Sequence, residues 1–381
     1  MKFKSVVILS IVMAVAGAAL FAFLQFRNED QPDRELGAYF LEGLPANKIN
    51  SIEIKSKDGA VSLKKSDSEW VVTDRYNYPA QFSKISGLVR KLKDLKVGRR
   101  FEASEGSLER LSLYSPDDPQ APDKAEGTRI ELKDEKGNLL SGIVLGKVRK
   151  SGPDRNISDG HYVIRDGAPD IYLVDKHFEY LDKAPSEWLE KELVKVEQKD
   201  IKEIVCLDNK KVLFSLRKQK EGEDFRLSPM RKGEKVKEQA VKRLSTAISS
   251  LRLEDVADPG LPLKDTGIDE TPDLEFRLFN GMVYRLLPGK SVADEDGFYL
   301  RIVVSCQKKP VTENKATGDK GSEEEGAEAE KLEEDTLPRS EQLRKRFSPW
   351  TFKISKWQYE SFITEKDELF ETPEDKKKEG A

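Results

Sequence analysis

The sequence predicts an α+β fold in which an N-terminal transmembrane helix precedes two tandem repeats, each an antiparallel sheet with packed helices. Three observations carry this expectation. Residues 6–24 contain no charged side chain. Short Asp-Gly and Asn-Gly turns separate stretches of alternating apolar residues, the pattern of β-hairpins. One order of strands, turns and an amphipathic stripe occurs twice along the chain, the mark of an internal repeat.

The apolar run from Val6 to Leu24 follows Lys2 and Lys4 and precedes Arg27, Glu29 and Asp30. As a helix it would be about 28 Å long, close to the hydrocarbon thickness of a bilayer. The positive-inside rule places its N-terminus in the cytoplasm and the body beyond the membrane. A cleaved signal peptide competes, since Ala16-Gly17-Ala18 offers small residues for cleavage. The run continues through Phe21, Phe23 and Leu24, however, beyond the usual length of a signal core. The expected organisation is a cytoplasmic stub and anchor at 1–26, a stalk at 27–46 and a first repeat at 47–198. A second repeat follows at 199–365, interrupted by a disordered acidic insertion at 311–337, and a disordered tail closes the chain at 366–381.

In the first repeat, Ile52 and Ile54 lead a strand that ends at Asp58-Gly59, Val61 and Leu63 begin the return strand, and Trp70 to Val72 make a third. Phe82, Ile85, Val89, Leu92 and Leu95 then fall at spacings of three and four, one face of a helix. In the second, Ile201, Ile204 and Val205 open a strand, Val212, Phe214 and Leu216 alternate, and Val241, Leu244, Ile248 and Leu251 repeat the helical stripe. Thr128 to Lys133 resembles Asp273 to Leu278, Leu145-Gly146-Lys147 resembles Pro288-Gly289-Lys290, and Tyr172 to Lys176 resembles Phe352 to Lys356. Asp175 and Ser355 both suit the N-cap of a following helix. The copies differ most before Phe352. The segment from Glu313 to Asp335 has ten acidic and three basic residues, too polar to offset the entropy of ordering.

Composition narrows the chemistry. With 37% apolar and 36% charged residues, the chain is too polar for a polytopic membrane protein. Sixty-six basic residues against 70 acidic ones argue against a dedicated nucleic-acid binder. Two histidines, His161 and His177, and two cysteines leave little for zinc or triad chemistry. Both histidines read as structural or exposed. No Gly-x-x-x-x-Gly-Lys-Ser/Thr phosphate loop, nucleophile elbow or His-Glu-x-x-His motif occurs. No catalytic, cofactor-binding or metal residue is therefore assigned, and no cofactor. Cys206 and Cys306 fall in strands of the second repeat. They are a candidate disulfide if their Cα atoms approach within about 7 Å, and separate buried thiols otherwise. Arg90, Lys91, Lys93, Lys96, Arg99 and Arg100 form a basic cluster. It reads either as a solvated helix face or as a contact for an anionic surface. Trp70, Trp188, Trp350 and Trp357 stand at element ends and read as core anchors.

The order of Asn47-Lys48-Ile49, Gly59, Trp70, Pro79, Leu145-Gly146-Lys147, Tyr162, Tyr172, Trp188-Leu189 and Asp200-Ile201 resembles the bacterial domain-of-unknown-function family 4340. Thr266-Gly267-Ile268-Asp269 with Pro272 looks like that family's Gly-Leu-Asp-x-Pro segment, whereas Leu113-Tyr114-Ser115-Pro116 departs from it. The resemblance implies a single-pass protein of the bacterial inner membrane, its N-terminus cytoplasmic and its body in the periplasm or outside the cell. It also implies association with a gliding-motility-like ABC transport system, and carries no catalytic residues. The expected function is a membrane-anchored extracytoplasmic accessory or interaction subunit of such a complex, non-catalytic, with a membrane-protein partner such as an ABC permease and no nucleic acid. An envelope glycan or ligand-binding module is the alternative, and an uncharacterised hydrolase the third reading.

Overall fold

A computed structural model describes residues 36–152, 157–230, 234–268, 270–293, 295–307 and 336–371. The first sheet contains β1 (Ser51–Ser56), β2 (Gly59–Ser66), β3 (Glu69–Val72), β4 (Tyr78–Pro79), β5 (Val97–Glu102), β6 (Thr128–Lys133), β7 (Leu139–Ser151), β8 (Ile157–Arg165) and β9 (Asp170–Val174). Its strand order is β4-β3-β2-β1-β6-β7-β8-β9-β5. A short pair joins β10 (Glu192–Val194) to β14 (Leu251–Arg252). The second sheet contains β11 (Ile201–Asp208), β12 (Lys211–Arg217), β13 (Arg226–Ser228), β15 (Asp255–Val256), β16 (Asp273–Leu278), β17 (Met282–Ser291), β18 (Gly297–Cys306) and β19 (Phe352–Ser355), in the order β13-β12-β11-β16-β17-β18-β19-β15. Apart from β4, the two orders correspond strand for strand. The helices are α1 (Phe82–Lys93), α2 (Glu105–Leu111), α3 (Glu238–Thr246), α4 (336–347) and α5 (Lys356–Phe362). Two compact units result: one comprises the described residues through Trp70 with Phe82–Pro185, the other Val71–Gln81 with the residues from Ser186 onward.

The expected transmembrane helix is corrected here. Among the described residues no helix is long and apolar enough to cross a membrane. Helix α1, with 12 residues, spans about 18 Å, well short of a bilayer core. The run 6–24 lies outside the described residues. The fold is mainly antiparallel sheet with short helices, and the single-pass inner-membrane location is not retained.

Three other boundaries move. Residues 36–46 are not a stalk: Phe40, Leu41 and Leu44 are buried, and Gly37 N–H and Phe40 N–H donate to Val97 and Leu95 carbonyls at 2.8 and 2.7 Å. At the far end Leu369 is buried and its carbonyl accepts from Lys237 N–H at 2.8 Å, so 366–371 belongs to the packed body; 372–381 lies outside the described residues. The acidic segment 311–335 lies outside them as well, while Thr336 and Leu337 begin α4. The helix expected after Asp175 does not form. The Asp175 carboxylate accepts from Lys96 N–H at 2.8 Å, which extends the pairing of β5 with β9. Ser355 instead caps α5, its Oγ accepting from Gln358 N–H at 3.4 Å. One side chain cannot serve both tasks, so the ladder displaced the cap.

The ladders fix which residues of the two copies correspond. Ile54 pairs with Ile130, and Cys206 with Leu274. Ile143 pairs with Arg165, and Leu286 with Ile302. Val163 pairs with Tyr172, and Leu300 with Phe352. Letter-by-letter alignment placed Thr128 opposite Asp273, but burial places it opposite the half-step: Thr128, Ile130 and Leu132 point inward, as do Leu274, Phe276 and Leu278.

In this register Gly146 on β7 corresponds to Gly289 on β17, and both do the same work. A Cβ at Gly146 would stand 2.3 Å from the Leu111 carbonyl, and one at Gly289 would stand 2.4 Å from the Thr266 carbonyl. Each glycine lets the segment that leads into the preceding strand, β6 or β16, lie directly on the sheet backbone. Gly87 in α1 has nothing within 4 Å of its would-be Cβ. Gly146→Ala and Gly289→Ala should therefore each lower stability by about 1–3 kcal/mol through overpacking. Gly87→Ala should raise it by about 0.5–1 kcal/mol through helix propensity. Urea titrations of the three variants check both signs.

Candidate functional site

The basic cluster is dispersed by the fold. Lys91 Nζ stands 4.8 Å over the Phe178 ring, Lys96 Nζ 5.6 Å over Tyr39, and Arg99 lies 5.5 Å over Phe101. Arg100 pairs with Asp170 at 2.7 Å. Burial first, and neighbouring Lys176 second, hold the Lys91 ammonium below its ordinary range. Arg90 and Lys93 remain exposed on α1. Four of the six cations thus lie against other side chains, three over aromatic rings and one on a carboxylate.

Cys206 and Cys306 are both free. Cys206 lies on β11 and Cys306 on β18, with β16 and β17 between them. Three strand spacings alone put their Cα atoms at least about 14 Å apart, and Cys306 lies further along its strand than Ile302, the residue level with Cys206, so the pair is beyond twice the reach of a disulfide. The candidate pairing is corrected to two separate thiols. Burial pushes the Cys206 thiol up to about 11, so it is protonated and inert at neutral pH.

His161 is a structural pin. It is 3% exposed; its Nδ1 accepts from Phe178 N–H at 3.0 Å, which leaves Nε2–H to donate to the Gly146 carbonyl at 2.8 Å. The ring thereby ties β8 to β7 and to the loop after β9. Burial brings its pKa down from 6.5 to about 4, against a smaller upward effect of the Gly146 carbonyl. Protons below pH 6.5 therefore favour the unfolded chain. The stabilisation is complete above about pH 6.5 and is lost as pH falls toward 4.

The outward faces of both sheets carry ion-pair ladders. Lys133 pairs with Glu131 and Glu53 at 2.8 and 3.0 Å, and Arg129 with Glu131 and Asp166 at 2.7 Å each. Arg277 pairs with Glu275 and Glu203 at 2.8 and 2.9 Å, and Arg285 with Asp273. Burial works against the Glu131 carboxylate, yet the Lys133 hydrogen bond and the Arg129 charge outweigh it and hold its pKa below the usual range. In the second unit, a cleft of about 350 Å³ is lined by Arg75, Asp255, Glu295 and Lys353. Its charges are also matched: Arg75 Nε donates to both Asp255 oxygens at 2.7 and 2.9 Å, and Lys353 pairs with Glu295 at 2.7 Å.

The tryptophans separate sharply. Trp188 is buried, Trp70 and Trp350 are half-buried, and Trp357 is 75% exposed. The core-anchor reading fails for Trp357. It sits in the first turn of α5, whose inward residues are Gln358 and Phe362. The Gln358 amide, in the orientation that satisfies both its atoms, donates to the Arg252 carbonyl at 2.7 Å and accepts from Arg252 N–H at 2.8 Å. Phe298 stacks on Tyr359 at 3.9 Å. The helix is thus fixed to the sheet, and the indole stands outward. Beside it lies a groove of about 450 Å³ lined by Arg243, Thr246, Ser249, Ser250, Glu360 and Ser361. Its rim carries the Arg243–Glu368 pair at 3.2 Å and the Lys356–Glu360 pair at 3.9 Å. Sequence reasoning missed this site, though a signal existed: Gln358 and Phe362 share a face at spacing four, and Trp357 falls off it.

His161 yields a direct check. Its counterpart in the second copy is Phe298, since His161 pairs with Val174 and Phe298 with Ile354. Between pH 7.5 and 4.5, His161→Phe should lose roughly 2–3 kcal/mol less stability than the natural chain, measured by urea unfolding at both pH values. Equal losses would show that this ring does not titrate on unfolding.

No curated protein and no solved structure matches the chain. The family model described as Domain of unknown function (DUF4340) matches residues 70–270, just over half of the 381 residues. The matched stretch runs from Trp70 in β3 to the segment before β16, through Gly146, His161 and Trp188. The chain belongs to the DUF4340 family.

Proposed function

We propose that this protein is a non-catalytic interaction subunit that docks a protein partner through the Trp357 groove. The observation that carries the reading is a tryptophan held outward on a rigid helix beside a groove with a charged rim. An exposed apolar centre inside a polar rim is the anatomy of a protein-binding hot spot, and tryptophan is enriched there. Covering the indole would remove on the order of 150 Å² from water, about 4 kcal/mol before the costs of association. The resemblance of the chain to its family points to a subunit of an ABC-type transport assembly, such as its permease, as the partner.

One observation favours a second reading. Thr246, Ser249, Ser250 and Ser361 line the groove together with Trp357, and an aromatic platform with several hydroxyl groups also suits an envelope glycan.

Trp357→Ala separates the two. The side chain is exposed, so the melting temperature should change little. Co-purification of the ATPase and permease should fall by a factor of about 30 or more, the size of a hot-spot truncation. Loss of retention on purified envelope polymer, with co-purification intact, would favour the glycan reading. If neither changes, the groove is not the working surface.

A further inference from the structure

We propose that the first unit holds a binding pocket for a small carboxylate, with Arg165 as its anion-recognising group. The strand alternation of β8 turns His161, Val163 and Arg165 to one side, and His161 and Val163 are buried. Arg165 thus occupies a position where the fold calls for an apolar residue. The second copy shows this directly: the corresponding residue is Ile302, 2% exposed and across the ladder from Leu286. The fold is satisfied by isoleucine at this place, so an arginine there needs another reason.

The surroundings of Arg165 supply it. The other strand arginines described above, Arg129, Arg277 and Arg285, lie on outward faces, and each has carboxylate partners. Among the described residues no carboxylate pairs with Arg165. Its Nε is shut off from solvent and has no hydrogen-bond partner. The guanidinium carbon stands 4.6 Å from the Phe40 ring centre and 5.0 Å from that of Tyr172, and the two rings meet edge to face at 5.2 Å. Ring faces position an arginine and leave its N–H edge for an in-plane acceptor. A partly desolvated guanidinium without a counter-ion is costly, and an anion would relieve that cost.

Arg165 opens onto a cavity of about 280 Å³, which segment 38–45 roofs. Leu41, Leu44, Val97 and Leu140 give it apolar walls, and Ser141 adds a hydroxyl. Glu42 stands exposed at the lining. One carboxylate near the rim disfavours a dianion more than a monoanion. The planar fork of arginine matches the two oxygens of a carboxylate, and the apolar walls suit a short aliphatic body. The ligand class is therefore a monoanionic carboxylate on a small apolar group, supplied either by a free acid or by the C-terminus of a peptide.

The test is titration of the full chain with butyrate, N-acetyl-leucine and N-acetyl-leucine amide, followed by calorimetry and by the Nε–H resonance of Arg165. Butyrate or N-acetyl-leucine should bind and shift that resonance, and the amide should not. Preference for N-acetyl-leucine over butyrate assigns the source as a peptide terminus, and the reverse assigns a free acid. Arg165→Ile should fold, because the second copy folds with Ile302, and should bind these acids at least tenfold more weakly. Arg165→Lys keeps the charge without the fork and should also bind more weakly than the natural chain. Absence of any carboxylate-induced shift in the natural chain, equal binding of the amide, or tighter binding of inorganic phosphate would each overturn the proposal. The resonance measurement decides even if the isoleucine variant unfolds.

Discussion

Everything in both units depends on the two-residue period of a strand that buries one face. In β1, Ile52 and Ile54 turn inward and are fully buried, while Glu53 and Lys55 turn out. Each buried aliphatic side chain contributes about 1.5–3 kcal/mol, and eight or nine strands in register add these up. A slip of one residue would carry the whole set to solvent. The outward faces reinforce the register with charge. Glu131 with Lys133 and Glu275 with Arg277 are corresponding pairs in the two copies, each at 2.8 Å. Any single pair contributes under about 1 kcal/mol, but a slipped register would set like charges opposite one another along the entire ladder.

This constraint also explains what the sequence disclosed. Alternation and turn residues made the strands legible, and the repeated order of strands was visible because both copies must satisfy the same burial pattern. Boundaries were harder. Phe40, Leu41 and Leu44 sit in a short stretch broken by Gly37, Gly43 and Pro45, too short to show a period, yet they are buried. Asp175 carries a helix-cap residue type, but the cap competes with a ladder hydrogen bond to Lys96 that no local pattern reveals. The cysteines illustrate the same limit. Both were visible as strand residues, whereas the two intervening strands that separate them are a property of topology alone. The expected membrane helix was read from an apolar run outside the described residues, and nothing in the two sheets calls for it.

Site residues were least legible, for a physical reason. A side chain that serves the fold obeys the pattern, so a pattern search finds it. A side chain that serves something else departs from the pattern and looks like noise until the register is known. The basic cluster stood out as a run of like charges, and the fold gave most of it ordinary work: Lys91, Lys96 and Arg99 lie over aromatic rings, and Arg100 meets Asp170. Arg165 attracted no notice, as an arginine in a charged chain, and Trp357 was read as a core anchor because it is a tryptophan at an element end.

The internal comparison sharpens this point. Corresponding positions in the two copies experience the same backbone, so differences between them report demands other than folding. Many differences exchange one apolar residue for another, as Val61 for Phe214, and ask for no explanation beyond packing. Two differ in kind. Arg165 stands where Ile302 stands, a cation turned inward; Trp357 stands where His177 stands, counted from the shared strand Tyr172–Val174 and Phe352–Ile354, and is a large apolar ring turned outward. The first exchange opposes desolvation, and the second exposes apolar surface to water. Each lowers the stability that the scaffold could otherwise have. They occur in different units, in opposite senses, and each borders a cavity. Random drift against stability would scatter such departures over the surface and core alike. Each borders one of the cavities described above, which is why these two positions carry the proposed sites.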